Sequence, residues 1–341
     1  MIGSSTGVSY VLPIRAQSPM VDDEFCEYLR AVSLLAETIV VDGSEPDVFA
    51  AHAESWGKNV LHVRPDKNLA TPMGKVGGVL TGIRLASFPK TIIADDDIRY
   101  DGDGLRSVAE ALDTADVVRP QNYFTPLPWH AKWDTGRILL NRMTGGDWPG
   151  TLGVARDLLL SAGGYDGTVM FENLELVRTI VAVRGREKLL PHVFVPRRPS
   201  TARHFWSQRI RQAYDEFARP GRMAFQLALI PFAVLGVMVV GWSIPLAMAI
   251  TSVALAEAGR RTNGGSRVFP PVTAWFAPAW LMERSVCVWL AVCSRAMFGG
   301  IPYRGTVLRR AANPLRVLRR QLGLAAQSPD LRAPEPRHRS V

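Results

Sequence analysis

At 341 residues, 47% of them apolar, the chain is long enough for one large domain plus an appended element, and both parts are large enough to bury apolar surface. Three scattered cysteines, Cys26, Cys287 and Cys293, exclude a disulfide framework or a zinc site and read as reduced core thiols. The net charge of +9 resides mainly in arginines after residue 195; they flank apolar runs without a nucleic-acid motif, which excludes nucleic acid as the partner and favours anionic lipid headgroups.

The segment Met1–Gly7 has no basic region or apolar core of a signal peptide, so secretion is not expected. From Val8 to about Arg197, short β-rich runs alternate with helix-like segments. Strands are expected at Val8–Ile14, Thr38–Val41, Val60–Val63, Thr91–Ala94 and Val117–Arg119, with helices near Asp22–Glu37, Gly74–Ser87 and Asp103–Asp113. This rhythm predicts an α/β fold, a mainly parallel sheet with helices on both faces. Ligands of such sheets sit beyond the carboxyl ends of the strands, where the first run ends in Pro13-Ile14-Arg15, the second enters Asp42-Gly43-Ser44 and the fourth enters Asp95-Asp96-Asp97. Three successive carboxylates after a buried strand repel one another, and a divalent cation relieves that repulsion.

After Arg219 the texture changes. Met223–Val240 is an apolar run interrupted in polarity only by Gln226, and Ser243–Ala256 is a second one beyond Gly241-Trp242. Together they predict a transmembrane hairpin. A third stretch, Pro271–Cys293, carries Glu283 and Arg284 at its middle; a charge pair there is costly facing lipid, so an interfacial or re-entrant helix is expected. Arginines before the hairpin, between the hairpin and the third stretch, and after the third stretch satisfy the positive-inside rule with two crossings, leaving the large domain in the cytoplasm. The tail beyond about residue 325 is rich in Pro and Arg and is expected to be disordered.

Several pieces, in order, carry a resemblance. Val40-Val41-Asp42-Gly43-Ser44, Gly74-Lys75, Asp95-Asp96-Asp97, Gly163-Gly164-Tyr165-Asp166 followed by Phe171-Glu172-Asn173-Leu174-Glu175, and Gln208-Arg209-Ile210-Arg211 resemble motifs of the family-2 glycosyltransferases, over about Val8 to Arg222. The resemblance implies a GT-A-type fold and binding of a nucleoside-diphosphate sugar. It assigns Asp97 and Asp95 to Mg²⁺ or Mn²⁺, with Asp95 also near the ribose, and Pro13, Asp42, Lys75, Asp95, Asp96, Gln208 and Arg211 to the nucleotide sugar. Chemically, carboxylates on a hard cation leave positions open for diphosphate oxygens. His204 is a lesser candidate for a third metal ligand.

The chain departs from the family pattern at the catalytic base. Asn173 stands where the second acidic residue of the pair is expected, and an amide is no base at neutral pH, so the role passes to Glu172 or, three residues on, Glu175. The departure favours an acceptor that is already an anion. At Gln212 the family usually has tryptophan, and Gly299-Gly300-Ile301-Pro302-Tyr303-Arg304-Gly305 loosely resembles a segment of ceramide-glucosyltransferase-like members. The expected organisation is a GT-A catalytic domain at 1–200, an interfacial helix at 201–222, the hairpin at 223–258, an interfacial or re-entrant helix with a basic segment at 259–324, and a tail at 325–341. The expected function is inverting sugar transfer to a lipid or polyprenyl-phosphate acceptor at the cytoplasmic membrane face. A processive polysaccharide synthase and a non-catalytic nucleotide-sugar-binding membrane protein are the alternatives.

Overall fold

The computed structural model describes residues 7–58 and 60–327. Strands β1 (Val8–Ile14), β2 (Glu37–Asp42), β3 (Leu61–Val63), β4 (Lys90–Ala94), β5 (Val117–Phe124), β6 (Thr151–Ala155) and β7 (Glu187–Arg197) form one sheet in the order 3-2-1-4-6-5-7. Every neighbouring pair is parallel except those of β6, which runs antiparallel to β4 and β5. A separate hairpin joins β8 (Ile301–Tyr303) and β9 (Thr306–Leu308).

The helices that cover the sheet are α1 (Asp23–Leu35), α2 (Pro46–Ser55), α3 (Gly74–Leu85), α4 (Gly102–Ala111), α5 (Trp129–Met143), α6 (Arg156–Ser161) and α7 (Glu172–Ala182). Asp22 and Asp101 cap α1 and α4 by accepting from the backbone N–H of Phe25 and Gly104. Alternate strand residues enter opposite cores: Tyr10, Leu12 and Ile92 pack with Phe25, Leu29 and Leu105 of α1 and α4, whereas Ile93 packs with Val79 and Ile83 of α3 and Val177 of α7. Burial on both faces explains the continuous apolar runs of β1 and β4. This is the mainly parallel α/β sheet expected.

Two strands escape the sequence pattern. β6 is a short run with Gly153 at its centre, packed so tightly that a Cβ there would lie 2.5 Å from Val118. β7 holds two prolines and a charged start, and it lies at the sheet edge, pairing with β5 alone. Proline is tolerated there because the outer backbone has no partner to lose.

Beyond the sheet come α8 (Ala202–Ser207), α9 (Arg209–Tyr214), α10 (Pro220–Val240), α11 (Ser243–Arg261), α12 (Ala277–Phe298) and α13 (Leu315–Gln327). The last helix passes the boundary expected at 325, and the tail from residue 328 lies outside the described residues. Among the described residues, Pro220–Val240 and Pro271–Phe298 are long and apolar enough to cross a membrane; α11, the second arm of the expected hairpin, is not one of these. Its carboxyl half instead abuts α5, so closely that a Cβ on Gly259 would lie 2.1 Å from the Leu139 carbonyl oxygen. Gly136 of α5 meets the backbone at Phe276 and Ala277 in the same manner, at 3.0 Å. The C-terminal helices are thus built into the domain rather than hung from it.

Candidate active site

The strand order reverses between β1, which leads to β2 and β3, and β4. Clefts form at such switch points, and the loop leaving β4 carries Asp95-Asp96-Asp97. A polar cleft of about 310 Å³ opens there, lined by Asp95, Asp97, Glu172, Asn173, His204, Gln208 and Arg211 among others. Three elements far apart in sequence thus deliver the expected residues to one place: the end of β4, the start of α7 and the α8–α9 junction.

The loop is fixed from below. The Asp95 N–H donates to the Gly150 carbonyl at 2.8 Å, and Gly150 itself is held by the Asn122 side-chain oxygen at 2.7 Å. A Cβ on Gly150 would stand 2.7 Å from an Asp95 carboxylate oxygen, so only glycine lets that carboxylate turn inward. Lys75, at the start of α3, bridges Asp95 Oδ1 at 2.6 Å and Glu172 Oε1 at 2.8 Å. Arg197, at the end of β7, donates to Asp97 Oδ2 at 2.8 Å and lies 3.8 Å from Asp95. Burial opposes the Lys75 charge, yet Asp95 and then Glu172 outweigh it and hold the ammonium protonated far above its ordinary range. Burial raises the Asp97 carboxyl, against the pull of Arg197.

One atom here is left over. Asp97 Oδ1 is enclosed and has no hydrogen-bond partner among the described residues. An orphaned carboxylate oxygen beside a second carboxylate is a fitting seat for a hard divalent cation. Asp95 and Asp97 are the residues that can hold it, while Asp96 between them is exposed.

The positions expected for catalysis separate. Glu172 faces the cleft, tied to Lys75. Asn173 also lines it, and its amide donates to the Pro149 carbonyl at 3.0 Å, buttressing the neighbour of Gly150. A carboxylate cannot make that bond, which gives the unexpected amide a structural reason. Glu175 is absent from the cleft: fully buried, it accepts from the Asn313 backbone and side-chain amides, both at 2.7 Å, and fastens the segment before α13 to α7. The three-residue spacing that placed it beside Glu172 instead directs it into the core.

Asp42 also departs from its expected position. It is wholly buried, with Oδ1 accepting from the Ser44 N–H at 2.8 Å and Oδ2 facing His52 Nδ1 at 2.7 Å and His62 Nε2 at 3.0 Å. Burial opposes its charge, but the donors His62, His52 and Ser44 hold the carboxyl well below its ordinary range. With the side chain wholly enclosed, neither oxygen reaches the surface where a nucleobase would sit in this structure. The Asp42-His52-His62 trio has ligand atoms within 4.8 Å of one another, as a metal site would. His52 Nε2, however, accepts from the Met20 N–H at 2.8 Å, which puts the ring proton on Nδ1 and leaves no lone pair there for a cation. The trio is a buttress of the β2 turn. Pro13 is half-buried against α3, where a Cβ on Gly78 would lie 3.0 Å from its own Cβ.

No protein-family model and no curated protein matches the sequence. Solved structures do. The chain is similar to the mannosyltransferase from Pyrobaculum calidifontis in complex with GDP-mannose and Mn²⁺ (19% identity over 83% of this chain and 86% of that one, TM-score 0.48). It is also similar to mannosyl-3-phosphoglycerate synthase from Rubrobacter xylanophilus (14%, 60% and 70%, 0.41) and to glucosyl-3-phosphoglycerate synthase from Mycobacterium tuberculosis in complex with Mn²⁺, UDP and glucosyl-3-phosphoglycerate (16%, 61% and 78%, 0.40).

The far wall of the cleft was not foreseen. Behind the lining residue Asp134 of α5, Arg209 of α9, only 2% exposed, pairs with it at 3.2 Å and with Glu283 of α12, so the charge that looked costly in a lipid-facing stretch points inward to a partner. Burial acts against Asp134, but Arg137 and Arg209 hold its carboxyl below the ordinary range. Asp215, Arg219 and Arg284 also line the cleft. Charged residues set within an apolar run were the available signal for Glu283 and Arg284; Arg197 and Asp215 stand in segments without a pattern. Of the cysteines, Cys26 and Cys287 are buried and Cys293 is exposed, which corrects its assignment to the core.

Proposed function

We propose that the chain is a metal-dependent glycosyltransferase that moves a sugar, with inversion, from a nucleoside-diphosphate sugar to a lipid or polyprenyl-phosphate acceptor at the cytoplasmic face of a membrane. The observation that carries this reading is the Asp95–Asp97 pair at the end of β4, with its orphaned Asp97 oxygen and flanking Lys75 and Arg197. Mg²⁺ or Mn²⁺ on these carboxylates supplies Lewis-acid stabilisation of the leaving diphosphate. Lys75 and Arg197 add fixed positive charge beside the same place, and Gln208 and Arg211 line the same cleft.

The membrane part of the reading draws on α10. Phe225, Phe232, Leu235, Met238, Val239 and Trp242 expose between 57 and 79% of their surface along or just beyond this one helix. Apolar exposure on that scale marks a surface made for a partner or a bilayer. At 1.5 Å per residue, its 21 residues extend about 31 Å, enough for a hydrocarbon core.

A panel of radiolabelled nucleotide sugars incubated with membranes containing the chain, followed by lipid extraction, tests the reading. Label should enter the lipid fraction with Mn²⁺ or Mg²⁺ and disappear with a chelator. Asp97→Ala should lower the rate by about 100-fold or more. Metal-independent transfer, or transfer undiminished by that substitution, sinks the proposal.

A further inference from the structure

Arg284 of α12 is 3% exposed, lies at the cleft wall with its guanidinium carbon 5.3 Å from the centre of the Trp280 ring, and forms no ion pair or hydrogen bond among the described residues; its Nε is enclosed without a partner there. A buried cation left alone is costly and is seldom kept without a ligand to meet it. The nearby carboxylates do not serve. Glu216 pairs through Oε1 with Arg219 at 3.1 Å and Arg222 at 3.3 Å, and Glu283 through Oε2 with Arg209, while their other oxygens are enclosed and bond neither Arg284 nor any other described group. Asp215 is held as the neutral acid up to about pH 8 by burial, against Arg219. Arg211, which lines the same cleft, likewise has no carboxylate partner among the described residues and leaves its Nε unsatisfied. Two guanidiniums with no direct carboxylate contact among the described residues therefore line one polar cleft.

A second cavity adjoins the first. Gln208 and Arg211 line the polar cleft and also a groove of about 510 Å³ between α9, the carboxyl half of α12 and the β8–β9 hairpin. The groove is apolar, walled by Ile210, Leu290, Met297 and Phe298, which are 39 to 73% exposed. A cationic seat that shares Gln208 and Arg211 with an apolar groove suits an amphiphile with an anionic head.

We propose that Arg284 and Arg211 hold the phosphate of a lipid phosphate monoester, whose chain leaves the cleft past Gln208 along the groove walled by Leu290 and Met297. This rests on the transferase reading and names its acceptor. Two unpaired cations balance the two negative charges of a monoester, and the planar guanidinium fork suits its oxygens. In the transfer, a phosphate oxygen forms the new bond to the anomeric carbon, while the bond from that carbon to the donor diphosphate breaks and the nucleoside diphosphate keeps the electron pair. The attacking oxygen of a dianion carries no proton, so no base is required, in keeping with Glu172 being tied to Lys75 and Asn173 to Pro149.

The test follows melting temperatures of the full chain in detergent with dodecyl phosphate, with inorganic phosphate, and with UDP or GDP plus Mn²⁺. Dodecyl phosphate should raise the wild-type melting temperature and leave Arg284→Met unmoved. Without ligand, that variant should melt at or above the wild type, because an unpaired buried charge has gone, and its response to nucleotide and Mn²⁺ should persist. Leu290→Trp should weaken dodecyl phosphate at least tenfold and inorganic phosphate hardly at all. Retention of the dodecyl phosphate response in Arg284→Met overturns the site. Loss of the nucleotide response overturns it too, by assigning Arg284 to the donor. Should the methionine variant fail to fold, Arg284→Lys reads the same contact: about tenfold weaker binding is expected and unchanged binding refutes it. An Arg284-dependent phosphate response without sugar transfer to any acceptor would remove the transferase reading and leave the anion site standing.

Discussion

Asp215 stands in a short turn ahead of α10, with one carboxylate oxygen enclosed and unpartnered. Burial pushes its carboxyl up to about 8, whereas the unfolded chain loses that proton near pH ~4. Between these values the folded protein holds a proton that the unfolded chain has released, so this group's contribution to stability falls as pH rises through the window and levels off above it. Asp215→Asn should therefore melt above the wild type from about pH 5, with a margin that grows to about pH 8. Denaturant titrations at pH 5, 7 and 9 check this, and a margin that shrinks with pH refutes it. At this scale the sequence was a partial guide. Asp95, Asp97, Lys75, Glu172, Gln208 and Arg211 were legible because strand ends and helix starts place them, and they meet in one neighbourhood. Asp42 and Glu175 were misjudged for a shared reason: a carboxylate beside a motif looks like a ligand until its hydrogen bonds are known, and both are consumed by the interior.

Among the elements, β1 and β4 were legible as unbroken apolar runs, while β6 and β7 were not, since a central glycine and edge prolines erase the pattern. The helix α5 was missed as well. Its sequence mixes Trp, Asp, Arg and Asn because it meets the cleft on one side and the C-terminal helices on the other, leaving no single apolar stripe. The α5–α11 contact has no slack. Gly259→Ala should cost at least about 1–3 kcal/mol, since its Cβ would overlap the Leu139 carbonyl and the backbones must part. Thermal melts of the detergent-solubilised variant would show it, and an unchanged midpoint would mean that the helices are free to separate.

For the whole molecule, charge and apolar surface act together. On the proposed membrane reading, the +9 net charge would draw the chain toward anionic lipid, and the exposed side chains of α10 would supply an attachment that salt does not screen. The full chain should float with anionic vesicles and stay with them in 1 M salt and alkaline carbonate. Recovery in the soluble fraction without detergent would contradict this. The division at residue 200, natural from composition, does not describe the packing, because α11 and α12 rest on α5.

That packing has a consequence for reach. Because Gly259 and Gly136 bring the C-terminal helices into backbone contact with α5, and α5 contributes Asp134 and Arg137 to the cleft, the distance between the anchor and the reaction centre is set by interlocked backbone rather than by a tether. A chain seated in a bilayer in this way works as a ruler. On the proposed transferase reading, it would favour acceptors whose head stands at one height above the membrane, whatever the rest of their chemistry.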